Sequence, residues 1–94
     1  MVAEAFEQIC PSAELEVAKI YAEGELRYGA YNWAKGSPQH NIIRHMKRHL
    51  NLWLSGDRSE AHLAKVLWGV MSLIHYETKC KCHIESIRRE EVTR

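Results

Sequence analysis

Three groups of residues in this chain have the types and spacing to do chemistry. His45 and His49 stand four residues apart. On a helix that spacing puts two imidazoles on one face, which suits a transition metal, and His62 offers a third ligand. The commoner use of histidines at a core edge is to satisfy their ring nitrogens by hydrogen bonds. The second group is acidic: Glu16 and Glu23 share a helical face, and Asp57 and Glu60 stand three residues apart. Four carboxylates gathered between helices would offer Mg2+ the hard oxygen ligands it needs, with room for water and substrate phosphates. They also read as a capping pair (Asp57, Glu60) and as surface partners of Lys19 and Arg27. The third group is Cys80-Lys81-Cys82-His83. A structural zinc takes four ligands and no second cysteine pair exists, so this run reads as an exposed tail. There is no P-loop, dinucleotide fingerprint or nucleophile–base arrangement.

The elements that must position these groups are helical. From residue 13 to 28 the apolar positions Leu15, Ala18, Ala22 and Leu26 keep helical spacing, with Ser12 as the expected cap and Gly29 as the stop. Ser37-Pro38 starts a second helix over 38–54, whose apolar face is Ile42, Met46, Leu50 and Trp53, with His45 and His49 at its edge and Gly56 closing it. Asp57 to Glu60 has capping-box spacing and opens a third helix over 58–78. That helix is apolar nearly all round, with Leu63, Val66, Val70, Leu73 and Ile74 on one side and Ala64, Trp68 and Met71 on the other. Such a helix is normally buried all round. Three helices cannot cover it, so an oligomeric bundle is expected, a homodimer with Trp68 near the contact. Between the first two helices, Leu26 to Gly36 carries Tyr28, Tyr31 and Trp33 in a loop, which reads equally as a segment that contacts a ligand and as a packed helix–helix connection whose Trp33 plugs the core.

No run reads as a strand, so the class is all-α, with residues 1–94 as one domain: an N-terminal arm over 1–11, a three-helix core and a charged tail over 79–94 that fits a short fourth helix or an irregular end. The 46% hydrophobic content is that of a folded domain, and a net charge of +1 argues against nucleic acid or membrane binding. The first residues lack a secretory signal and no run is long enough to span a bilayer. Three cysteines without a disulfide framework fit a reducing cytoplasm.

Glu16-Val17-Ala18, Gly24, Arg27-Tyr28-Gly29 and Asn32-Trp33-Ala34-Lys35-Gly36, followed by Arg48-His49-Leu50, Trp53, Gly56-Asp57 and His62-Leu63-Ala64, resemble in order and spacing the N-terminal domain of the phage and bacterial dATP/dGTP diphosphohydrolases. That family is similar to the MazG-type all-α nucleotide pyrophosphatases. The resemblance implies an oligomeric, Mg2+-dependent (or Mn2+-dependent) enzyme that splits a purine dNTP into monophosphate and pyrophosphate. It implies Glu16, Asp57 and Glu60 as metal-side carboxylates, with Glu16, His49 and His62 catalytic. Arg48, His49 and His62 would face the phosphates or hold the ligands in place. Arg27, Tyr28, Asn32, Trp33 and Lys35 would shape the nucleotide pocket, Tyr28 or Trp33 stacking on the base. The chain departs from that pattern at Leu26, where the family carries an acid, at the shortened Asp57-Arg58-Ser59-Glu60-Ala61 linker, at Lys65 in place of a second His, and at Gly69 in place of an Asn. These departures lower the carboxylate count and carry a second reading, a non-catalytic oligomeric module that binds a nucleotide or a protein on the same scaffold.

Overall fold

The computed structural model describes residues 3–79. The fourth-helix expectation and Cys80-Lys81-Cys82-His83 lie outside the described residues. The described residues form three helices, α1 (Pro11–Tyr28), α2 (Gln39–Leu54) and α3 (His62–Lys79), with single 3-10 turns at Phe6–Gln8 and Asn32–Lys35. No strand occurs among the described residues, and none of their helices is long and apolar enough to cross a membrane.

The helix ends follow local chemistry, with three corrections. Pro11 occupies the first turn of α1, so its missing N–H costs nothing, and Cys10 rather than Ser12 is the cap residue. Gly29 ends α1 at φ 94°, a left-handed-side value that a residue with Cβ resists, and its N–H bonds Glu25 O. Pro38 itself stands at the cap position of α2. The third correction is the largest: α3 begins at His62, not near residue 58. The Asp57 carboxylate accepts from Ser59 Oγ at 2.9 Å and from the His62 ring. It is therefore spent on a side-chain turn and does not open a helix. Arg58 secures that turn by donating to Trp53 O and Asp57 O at 2.8 and 2.9 Å, with its guanidinium 4.8 Å from the Trp53 ring centre.

The central helix is α3. Both α1 and α2 pack on it, and they do not pack on each other. Against α2 the fit is close. A Cβ added to Gly69 would lie 2.5 Å from Met46 Cγ and 3.4 Å from Ile42 Cγ2, so the crossing needs a glycine. Ile42 and Tyr76 form the buried centre, with Met46 and Leu73 against them. On α2 the inward residues are Ile42, Met46, His49 and Trp53, one stripe at offsets of 4, 7 and 11. His49 takes the inner place expected for Leu50, which is 40% exposed.

The faces of α1 and α3 also differ from the expected ones. On α1 the inward side chain is Val17, followed along the helix by half-buried Ile20, Tyr21 and Gly24, while Leu15 and Leu26 are 57% and 88% exposed. On α3 the buried residues are His62, Ala64, Gly69, Ser72 and Tyr76. Four of these, His62, Gly69, Ser72 and Tyr76, form one small and polar stripe. The apolar residues Leu63, Val70 and Ile74 lie on an outer stripe, 47%, 37% and 54% exposed. Trp68 is half-buried and turns toward the gap between α1 and α2.

Candidate functional site

Because α1 and α2 both lean on α3 without meeting, they leave a cleft of about 1150 Å3 between them. One wall is the C-terminal half of α1 with the loop that follows, the other is α2, and Lys65, Trp68, Met71 and Tyr76 of α3 reach it from below. The space is ample for a nucleoside triphosphate.

The loop wall is aromatic. Trp33 packs edge-on to Tyr21 of α1 and to His75 of α3, with ring centres at 5.8 and 4.9 Å. Its carbonyl accepts from Tyr76 OH at 2.7 Å, which ties the loop to α3. Trp33 is thus a structural plug as well as a cleft residue. Tyr28 and Tyr31, 64% and 75% exposed, also line the cleft. Tyr31 adopts φ 59°, the left-handed region that side chains with Cβ rarely enter.

The opposite wall holds a buried polar chain. Asp57 is bonded to His62 Nε2, and His62 Nδ1 to His49 Nδ1 at 2.9 Å. His62 and His49 are 1% and 7% exposed. Hydrogen bonds from His62 and Ser59 hold the Asp57 carboxyl below its ordinary range, so it is an anion at neutral pH. Burial, and next the charge of Lys65, lower the His49 pKa and keep its ring neutral. The commoner use of histidines, satisfying one another's nitrogens, is the one found for this pair.

Of the residues expected at the site, Arg27, Tyr28, Asn32, Trp33 and His49 line the cleft. His62 stands behind His49, and Lys35 and Arg48 are exposed and do not line it. The metal-side set does not assemble. Glu16 lies on α1 paired with Lys19 at 2.8 Å, Asp57 is held by His62 and Ser59, and Glu60 is bonded by Lys65 Nζ. None of the three lines the cleft. Among the described residues no three His, Cys, Asp or Glu side chains are grouped to hold a metal ion, so neither this set nor the three histidines fits Mg2+ or a transition metal.

Two cationic cleft residues, Arg44 and Lys65, were not expected in this role. The signal available for Lys65 was its departure from the family pattern. Arg44 reads as solvent-facing on a helical wheel and reaches the cleft only because α1 stands off from α2. Three cationic groups, Arg27, Arg44 and Lys65, thus face the same space as exposed tyrosines and a neutral histidine.

No curated protein and no solved structure matches the chain. A family model does: dATP/dGTP diphosphohydrolase, N-terminal, matches residues 3–86. That is nearly the whole chain, and the matched span contains the cleft and both of its walls; the protein belongs to the dATP/dGTP diphosphohydrolase N-terminal domain family.

Proposed function

We propose that the cleft binds a purine deoxynucleoside triphosphate and hydrolyses it between the α and β phosphates, releasing monophosphate and pyrophosphate. One observation carries this reading: a single open cleft combines exposed tyrosines on one wall with arginines, a lysine and a neutral histidine on the others. A base stacks on aromatic faces. Cations meet the triphosphate and the charge that develops on the leaving pyrophosphate. Tyr28 is the favoured stacking partner, since Trp33 already packs between Tyr21 and His75. Arg27 and Arg44 approach the phosphates from opposite walls.

The second reading, a module that binds a nucleotide without cleaving it, is favoured by the pairing of Glu16, Asp57 and Glu60 away from the cleft. Incubation of the purified protein with each dNTP and Mg2+ or Mn2+, followed by detection of monophosphate and pyrophosphate, separates the two. Turnover of dATP or dGTP is the expected result. No turnover, together with a thermal shift on adding a dNTP, leaves the binding module. We place the contact of a homodimer on the outer stripe of α3 (Leu63, Val70, Ile74) rather than at Trp68. Sedimentation should give a dimer at micromolar concentration, and Ile74→Glu should convert it to monomer.

A further inference from the structure

We propose that Tyr31 is a base-contacting residue of the cleft, a second aromatic surface beside Tyr28, held in a strained backbone position for that contact. The inference rests on the nucleotide reading of the cleft above, and it holds whether the nucleotide is cleaved or only bound.

Two independent observations meet at this residue. The first is its backbone. The Asn32 N–H bonds Gly29 O at 3.3 Å and closes a turn whose third position is Tyr31. Tyr31 lies at φ 59° and ψ 19°, the single non-glycine residue at positive φ among the described residues. A turn with positive φ at its third position favours glycine or asparagine there, because a Cβ in the left-handed region crowds the backbone. Tyrosine at this position works against the stability of the turn.

The second observation is where the ring lies. A strained residue persists at a position where its side chain has a use. The fold makes little use of this one. The Tyr31 ring is 75% exposed, and its ring contact among the described residues is with Trp33, tilted by 56° at 6.4 Å between centres. Trp33 does not depend on that contact. Tyr21 and His75 hold its ring at 5.8 and 4.9 Å, and Tyr76 OH bonds its carbonyl. What Tyr31 does line is the cleft, on the same wall as Tyr28.

The chemistry of the ring selects the part of the ligand it meets. A flat, uncharged face suits the base, whereas the triphosphate is matched by Arg27, Arg44 and Lys65. Stacking reads the area of a base and not the hydrogen-bonding pattern of its edge. Tyr31 therefore favours a purine over a pyrimidine and contributes little to the choice between adenine and guanine.

The test is Tyr31→Asn, which removes the ring and puts a residue tolerant of the left-handed region in its place. Affinity is measured by calorimetry with the α,β-imido analogue of dGTP, so that turnover does not intervene. Tyr31→Asn should weaken binding about tenfold, and Tyr31→Phe, which keeps the ring, should bind as the unaltered protein does. Unchanged affinity in Tyr31→Asn overturns the inference. An equal loss in Tyr31→Phe assigns the contact to the hydroxyl and overturns it too. Inorganic tripolyphosphate, which has no base, should bind Tyr31→Asn and the unaltered protein alike; a matching loss there moves the contact to the phosphates and overturns the base assignment. In urea unfolding without ligand, Tyr31→Asn should leave the midpoint in place or raise it. A lower midpoint means that the ring serves the fold, and overturns the inference whatever the binding result. If the unaltered protein binds no nucleotide, the nucleotide reading falls and this inference with it; if it binds and Tyr31→Asn binds equally, this inference alone falls.

Discussion

The two walls of the cleft are built differently. The α2 wall is locked to α3 by a glycine crossing and a buried histidine pair, so His49 has one available position. The α1 wall has one buried side chain, Val17, and rests on α3 partly through the Trp33 loop. Its exposed tyrosines and Arg27 can adapt to a ligand. A surface that accepts a ligand gains from being able to close on it. The comparison teaches that the two walls differ in how firmly they are held: the α2 wall fixes its side chains, and the α1 wall leaves most of its own exposed.

Substitutions on the two walls should therefore behave differently. Gly69→Leu should do most damage, at about 3 kcal/mol or more, because its Cβ alone overlaps Met46 Cγ; urea unfolding measures it. His62→Leu should come next, at about 2 kcal/mol, since it leaves the buried His49 Nδ1 without its hydrogen-bond partner. Tyr76→Phe should cost about 1 kcal/mol and chiefly loosen the loop, seen as faster amide exchange around Trp33, whose carbonyl loses its donor. Leu26→Ala, at a side chain 88% exposed, should change stability by no more than about 0.5 kcal/mol. A large loss there would mean that the α1 wall is as tightly packed as the other.

Acidification should also act first on the rigid wall. The His49 pKa is lowered in the fold, so the unfolded chain binds that proton more readily. Stability should therefore fall as pH drops below about 6.5, the ordinary histidine value. Asp57 and Glu60, both held low by hydrogen-bond donors, should add a second loss below about pH 4. Urea midpoints measured from pH 8 to pH 3.5 check both phases, and His49→Gln should remove only the first.

How much of this was readable in the sequence differs by wall. The helix count and the stops at Gly29 and Gly56 follow from local rules, and so does the presence of a loop carrying Trp33. The α3 start does not, because the capping spacing of Asp57 and Glu60 competes with a histidine two residues farther on, and the ring took the carboxylate. The helix faces were misread where polar residues lie inside. A stripe of His62, Gly69, Ser72 and Tyr76 has no apolar signature, and His49 displaces Leu50 only once His62 is there to bond it. The loop residues of the site were reachable through the family resemblance. Arg44 and Lys65 were not, since their role depends on α1 and α2 straddling α3 without touching.

The most direct test is a 1H–15N titration of the intact chain with dATP and with dGTP. Both walls should respond, with shifts at Tyr28, Asn32, Arg44, His49 and Lys65, while Glu16, Lys35 and Arg48 stay in place. Shifts confined to Glu16, Lys35 or Arg48, or no saturable shift at any cleft residue, would contradict the assignment of this cleft as the nucleotide site.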